Sequence, residues 1–164
     1  MRRICNNARM FHVVLYQPEI PPNTGNVIRL CANAGATLHL IEPLGFPIDH
    51  ARMRRAGLDY REFVDMQVHA SLAAFLEAAA PPRLFAFSSK ATVRYDAVCY
   101  APGDALMFGP ETRGLPEEAL ARVPAAQRLR LPMRPHNRSL NLSNTVAIAV
   151  YEAWRQFDFE GAAG

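Results

Sequence analysis

Three segments of the sequence concentrate glycine, proline and polar residues at the ends of apolar runs. They span residues 21–29 (PPNTGNVIR), 107–115 (MFGPETRGL) and 131–144 (LPMRPHNRSLNLSN). Glycine lets main chain approach a ligand closely, and asparagine, serine and arginine supply hydrogen bonds. Because ligands of open α/β sheets bind beyond the carboxyl ends of the strands, we expect these three loops to meet in one binding site.

Several common chemistries lack their motif in this chain. It has no G-x-G-x-x-G, no Walker P-loop, no H-E-x-x-H and no G-x-S-x-G, which argues against hydride transfer, phosphoryl transfer and hydrolysis. Cys5, Cys31 and Cys99 form no C-x-x-C pair and have no histidine at zinc-ligand spacing. We therefore expect no metal site, a buried structural role for Cys31, and a reducing cytoplasmic location.

Length and composition indicate one globular domain. The chain has 164 residues, half of them hydrophobic and 20% charged, and no apolar run approaches the roughly 20 residues that cross a bilayer. The formal net charge of +3 mildly favours a polyanionic partner. Residues 1–9 are basic and lack the apolar core of a secretory signal. We expect a disordered extension over 1–9 and a single domain over 10–160.

Alternating strand and helix patterns must position the three loops. Strand-like runs cover 11–16, 37–41, 83–87, 105–108 and 128–131, and helical patterns cover 24–34, 50–56, 71–80, 116–123 and 143–157. Such alternation predicts an α/β fold with a mainly parallel sheet flanked by helices. His12 and His39 fall in strand patterns, so we expect them to be structural.

Two of the predicted helices have unusual faces. In 24–34, an apolar stripe of Val27, Leu30, Cys31 and Ala34 leaves Asn26, Arg29 and Asn33 on another face. That polar face suits hydrogen bonding to a ligand, although an ordinary solvated face has the same pattern.

Residues 146–151 are apolar on every side of the last helix. Such a helix must be covered all round, either by a second copy of the chain or within the monomer.

Residues 23–29, 108–115 and 138–144 resemble motifs 1, 2 and 3 of the SPOUT methyltransferases. The longer run 11–157 is similar to the small tRNA (cytidine/uridine-34)-2'-O-methyltransferases, and 41–46, 54–60 and 151–156 also carry that likeness. The resemblance implies a SPOUT domain over 10–160 with a deep C-terminal trefoil knot, an exception to the rule that chains avoid knots. It also implies a homodimer built partly on the last helix.

The same resemblance implies the ligands. S-adenosylmethionine would bind within the knot and leave as S-adenosylhomocysteine, with no metal involved. The implied cofactor-binding residues are Phe87, Gly109, Gly114, Leu131, Met133, Ser139 and Asn141. Glycines at 109 and 114 would let main chain approach the cofactor. We expect Ser143 or Asn144 to cap the last helix, because Ser139 and Asn141 lie too far upstream.

Three residues are the candidates for catalysis: Asn26, Arg29 and Glu111. The resemblance places Arg29 nearest the reacting hydroxyl. A free guanidinium holds its proton firmly, so we favour Arg29 as the group that orients the ribose or a neighbouring phosphate. Asn26 and Glu111 would support it, with Glu111 fixing an arginine.

The substrate implied by the resemblance is the anticodon stem-loop of tRNA, methylated at the wobble ribose. Phosphate contacts favour arginine, and the candidates are Arg54, Arg55, Arg113, Arg134 and Arg138, with His136 and Lys90 weaker. Two alternatives stay open: 2'-O-methylation of another RNA such as ribosomal RNA, and a non-catalytic RNA-binding module. The presence of Arg29, Glu111 and Ser139 argues against the module.

Overall fold

One parallel sheet organises the residues that the computed structural model describes, 10–55 and 65–164. Within them its strands are β1 (His12–Tyr16), β2 (Thr37–Ile41), β3 (Met66–His69), β4 (Leu84–Phe87), β5 (Val93–Arg94), β6 (Ala105–Phe108) and β7 (Arg128–Arg130), in the order β3-β2-β1-β6-β4-β7-β5. Every adjacent pair in this described sheet is parallel. The carboxyl ends of the strands therefore face the same edge.

Helices cover both faces of the sheet. In the part of the chain that the structure describes they are α1 (Pro21–Ala34), α2 (His50–Arg55), α3 (Leu72–Ala79), α4 (Glu117–Leu120) and α5 (Leu142–Arg155), with a short 3-10 turn at Ala125–Gln127. One apolar core lies between the sheet and the pair α1 and α5, and the other lies under α3 and α4. The α/β architecture with a parallel sheet flanked by helices is thus confirmed.

Two strands were not predicted, and they are the two edges of the sheet. β3 has only its last residue, His69, fully buried, and β5 is two residues long. A strand that packs on one side only, or is this short, lacks the apolar run that marks an interior strand. By contrast, the predicted strands 37–41 and 105–108 match β2 and β6, all of whose residues are buried.

Helix α1 begins three residues before its predicted start. Pro21 and Pro22 occupy its first turn, where the missing N–H groups cost nothing. The helix ends at Gly35 in the left-handed conformation. Its predicted stripe is largely right, since Val27, Cys31 and Ala34 are buried.

The prediction for the cap of the last helix was wrong. α5 begins at Leu142, and Asn141 is its N-cap, with the side-chain oxygen accepting a hydrogen bond from the Ser143 N–H at 2.9 Å. Ser143 therefore lies inside the first turn. The chain enters the helix one residue earlier than the apolar pattern indicated, because Leu142 itself is buried.

The apolar face of α5 is not fully covered by its own chain. Val146, Ala149 and Val150 are fully buried, whereas Ile148 and Tyr151 are 39% and 44% exposed. Burial within the monomer therefore accounts for only part of the pattern.

Among the described residues, no helix combines the length and the apolar character needed to span a bilayer. The predicted extension over 1–9 and the end of the predicted helix at residue 56 lie outside the described residues.

Candidate active site

A cavity of about 490 Å³ opens where β4, β6 and β7 reach their carboxyl ends. Phe87 and Phe108 are the last residues of β4 and β6, and Leu131 follows β7. On the other side the cavity is lined by Ile20 and Asn23, at the start of α1. The three polar loops thus meet at one edge of the sheet, as their sequences indicated.

The cavity gathers all seven residues expected to bind the cofactor. Its lining includes Phe87, Gly109, Gly114, Leu131, Met133, Ser139 and Asn141. Phe87 stacks on Phe108 with ring centroids 4.6 Å apart. Met133 is 42% exposed at the cavity. This arrangement offers apolar surface for a flat heterocycle beside the polar groups of the loops.

The shape of the loop after β6 requires glycine at positions 109 and 114. A Cβ on Gly109 would lie 2.3 Å from the backbone nitrogen of Leu115, so the loop closes on itself there. Gly114 has a φ of 69°, which favours glycine, and its N–H donates to the Pro110 carbonyl. The two glycines therefore shape the loop that borders the cavity, and their close approach to the ligand stays a prediction.

Glu111 holds the backbone that leads into α1. Its carboxylate accepts hydrogen bonds from the N–H groups of Glu19 at 2.8 Å and Ile20 at 3.0 Å, and from the Asn23 side-chain amide at 3.3 Å. The segment that leads into α1 and its first turn supply these three donors, and the expectation that Glu111 also fixes an arginine stays a prediction. A carboxylate that accepts several N–H groups makes strong, oriented bonds.

Asn23 is a site residue that the sequence analysis missed. It is 6% exposed, and it lies between two of the loops: its amide donates to Glu111, and its side-chain oxygen accepts from the Asn141 amide at 3.0 Å. Since Asn141 also caps α5, one chain of hydrogen bonds joins motif 2, motif 1 and motif 3. Asn23 lies three residues before Asn26, and residues three apart on a helix share a face. This spacing could have identified Asn23, but the predicted helix began only at Thr24.

Asn26 and Arg29 lie along α1, beyond the cavity. Both side chains are exposed, and neither lines the cavity. Six residues of helix separate Arg29 from Asn23, about 9 Å along the axis. Arg29 therefore lies outside the cavity, further along α1.

The five arginines expected to bind RNA are all exposed. Arg113 borders the cavity and donates to the Gln17 side-chain oxygen at 2.7 Å. Arg134 and Arg138 lie in the loop between β7 and α5, and Arg54 and Arg55 end α2. Lys90 also lines the cavity. Three of these five arginines thus lie in the loops around the opening, and the other two lie at the end of α2.

Away from the cavity, three histidines form a buried chain across β1, β2 and β3. His39 bonds to His12 and to His69, each at 2.9 Å, and Phe75 of α3 packs on its ring. Burial, and the neighbouring imidazoles to a lesser extent, lower the pKa of His39 to about 3, and burial also lowers the pKa of His12 and of His69. In the described part of the chain, no group of His, Cys, Asp and Glu side chains is arranged to hold a metal ion.

Comparison with known proteins identifies the class to which this fold and cavity belong. The profile of the SpoU rRNA Methylase family matches residues 10–151. The chain therefore belongs to the SpoU methylase family. Both the α/β fold and the predicted kinship with the SPOUT methyltransferases are confirmed by this match.

Individual relatives are more specific. The tRNA (cytidine(34)-2'-O)-methyltransferase of Burkholderia ambifaria is 64% identical over 156 residues, covering 94% of this chain and 100% of the relative. A solved structure described as "Structural insights into the 2-OH methylation of C/U34 on tRNA" is 51% identical, with a TM-score of 0.82, covering 93% of this chain and 99% of that one. An AdoMet-bound rRNA methyltransferase from Sinorhizobium meliloti is 26% identical, with a TM-score of 0.75, covering 88% and 56%.

Proposed function

We propose that this protein transfers a methyl group from S-adenosylmethionine to the 2'-hydroxyl of nucleotide 34, a cytidine or uridine, in tRNA. The observation that carries the proposal is the cavity at the strand ends, which gathers the loops of all three motifs. The high identity to a tRNA (cytidine(34)-2'-O)-methyltransferase over nearly the whole chain supports the choice of substrate.

The cavity residues fit S-adenosylmethionine. Phe87 and Leu131 offer apolar surface for the adenine, and Ser139 and Asn141 offer hydrogen-bonding groups on the opposite loop. The tight turn at Gly109 leaves no room for a Cβ, which keeps the main chain of that loop at the cavity wall. When bound, the cofactor supplies an electrophilic methyl group on a sulfonium centre.

The protein's own contribution is alignment. Glu111 and Asn23 fix the start of α1 against the cavity, and α1 carries Asn26 and Arg29. In this proposal Arg29 orients the ribose or a neighbouring phosphate, and Asn26 supports it. Holding a hydroxyl close to an electrophile removes much of the entropic barrier to a reaction between two molecules.

Binding of the RNA is assigned to the arginines around the opening. Arg113, Arg134 and Arg138 would contact phosphates nearest the target nucleotide, and Arg54 and Arg55 would contact the stem further out. Exposed Ile148 and Tyr151 on α5 support a homodimer that buries this face. The C-terminal trefoil knot stays a prediction from the resemblance, and the cytoplasmic location stays a prediction from the cysteine pattern.

The test is incubation with labelled S-adenosylmethionine and bulk tRNA, followed by nucleoside mapping. We expect 2'-O-methylated pyrimidine at position 34. Label in ribosomal RNA but not in tRNA would instead support the alternative substrate, and no label in either would remove the enzymatic proposal.

Arg29→Ala should abolish transfer while cofactor affinity, measured by calorimetry, stays close to that of the wild type. The reason is that Arg29 lies outside the cavity that holds the cofactor residues. Arg122→Ala, which removes an exposed arginine after α4, is the matched control and should retain activity. Loss of cofactor binding in Arg29→Ala would show that this division of roles is wrong.

A further inference from the structure

The segment that joins β1 to α1, residues 17–20, is tied to two neighbouring loops. The Gln17 N–H donates to the Ile41 carbonyl at 3.0 Å, and the Pro18 carbonyl accepts from the Gly45 N–H at 2.9 Å. On the opposite side its last two N–H groups donate to Glu111, as described above. We call residues 17–20 the bracket segment.

Side chains add two more ties from the loop after β6. Thr112 donates its hydroxyl to the Glu19 carboxylate at 2.9 Å, and Arg113 donates to Gln17 at 2.7 Å. A plain four-residue connection needs one hydrogen bond to close, whereas every residue of the bracket segment carries at least one bond to another loop or strand. Its position is therefore over-determined.

Gly45 is pressed directly against the bracket segment. A Cβ at this position would lie 2.8 Å from the Glu19 Cα and 3.1 Å from the Glu19 carbonyl oxygen. These are backbone atoms, which have no rotamer by which to move aside. Gly45 is not among the glycines with positive φ. The requirement for glycine at position 45 is therefore one of space alone.

Gln17 holds a strained backbone at the other end of the segment. Its φ is 49°, in the left-handed region that side chains other than glycine rarely adopt. Strained residues of this kind persist where the surroundings over-determine them, and they cluster at functional sites. Here the surroundings are the Ile41 carbonyl and Arg113, which hold the main chain and the side chain of Gln17.

We propose that Gln17 and Gly45 are positioning residues for methyl transfer. They act through the bracket segment, which fixes where α1 begins and so where Asn23 and Arg29 lie relative to the cofactor cavity. Neither Gln17 nor Gly45 lines the cavity. This inference rests on the proposed function. Ile20 and Asn23, which the bracket segment places, form one side of the cavity, so the two residues are assigned mainly to the rate of transfer and only secondarily to cofactor affinity.

The first test is Gly45→Ala, assayed for kcat, for KM with tRNA and for cofactor affinity. We expect kcat to fall at least tenfold, because misplacement of reacting groups by about 1 Å costs on the order of 100-fold. Cofactor affinity should fall by a smaller factor than kcat, because Ile20 and Asn23 form only one side of the cavity. Unchanged kcat, or an equal loss of kcat and cofactor affinity, would overturn the proposal.

Gly35→Ala is the matched control. Gly35 follows the last residue of α1 and has a φ of 70°, but a Cβ there meets no atom within 4 Å. The substitution therefore strains the end of α1 and lowers stability without touching the bracket segment. We expect a lower Tm with normal kcat. If Gly35→Ala lost as much kcat as Gly45→Ala at a similar Tm, a merely structural role would explain both.

Gln17→Ala is the milder second variant, since it removes only the bond to Arg113. It should lower kcat less than Gly45→Ala does, with cofactor affinity retained. A normal kcat in Gln17→Ala would contradict the proposal for Gln17.

Hydrogen exchange of the Glu19 and Ile20 amides gives a readout that needs no activity. Faster exchange in Gly45→Ala but not in Gly35→Ala supports the bracket even if the wild type fails to methylate tRNA. Equal protection in both variants would overturn it.

Discussion

At the scale of single residues, the site is organised by amides as much as by charges. Asn23 and Asn141 connect Glu111 to the first turn of α5 through side-chain hydrogen bonds of 3.0 to 3.3 Å. An amide side chain both donates and accepts hydrogen bonds, so a single amide can hold two loops in a fixed relative position. Asn141 has two such tasks, because its side-chain oxygen caps α5 while its nitrogen bonds to Asn23.

Asn141→Ala should lower the free energy of unfolding by about 1 kcal/mol through loss of the cap alone, and it should weaken cofactor binding as well. Urea denaturation and calorimetry measure the two effects. The control is Asn144→Ala, an exposed amide in the same first turn that does not cap the helix, where a change within about 0.5 kcal/mol is expected. Equal effects of the two substitutions would show that the cap contributes nothing.

Prediction from sequence was most accurate for elements with a buried interior. The strands β2 and β6 were predicted to the residue, whereas the two edge strands were missed because they bury little. For the site, motif spacing and family resemblance together named the cavity residues. Contacts such as that between Glu111 and the start of α1 join distant parts of the chain, and no local pattern encodes which donors a carboxylate will meet.

At the scale of elements, α3 covers a chain of three imidazoles. Phe75 packs its ring at 4.8 Å from that of His39 and 5.5 Å from that of His69. Neutral imidazoles link one ring N–H to one ring nitrogen, so the chain joins β1, β2 and β3 without charge. Burial opposes protonation here, which couples the stability of this half of the sheet to pH.

Stability should therefore fall as the solution is acidified below about pH 6.5. The folded-state pKa of His39 is about 3, below its ordinary value of 6.5. The unfolded chain then takes up protons that the folded chain excludes, so the stabilisation is complete above 6.5 and is lost progressively towards 3.

Urea unfolding from pH 7 to about pH 5 measures this slope. His39→Leu should flatten it, because the most strongly shifted group is gone. His136→Gln, which alters an exposed histidine outside the chain of imidazoles, should leave the slope as in the wild type. A slope that is the same in His39→Leu and the wild type would assign the pH dependence elsewhere.

At the scale of the whole molecule, the notable feature is that a single chain leaves part of the apolar face of α5 exposed. Ile148 and Tyr151 are exposed there, and the Tyr151 ring contacts Trp154 and Phe159 near the end of the helix. A run of apolar side chains on one helix is costly to leave in water. The proposed homodimer would bury it and place α5 of two copies together.

Ile148→Glu should convert the dimer into a monomer, because a carboxylate buried at an interface without a partner is strongly unfavourable. Sedimentation equilibrium measures the change. Val68→Glu is the matched control: Val68 is 41% exposed, like Ile148, but it lies on the edge strand β3, so its variant should remain a dimer. A wild-type protein that sediments as a monomer would exclude the assembly outright.

The strand order also decides when the site comes into existence during translation. β1 pairs with β2 and β2 pairs with β3, so these three strands can assemble while the rest of the chain is still being synthesised. β1 can complete its pairing only after β6 has been synthesised, and β7 pairs with β4 on one side and β5 on the other. Distant parallel pairings of this kind form slowly. A nascent chain that has not yet released Leu131 from the ribosome lacks the wall that follows β7, so this side of the cavity is completed only after β1, β4 and β6 have been synthesised.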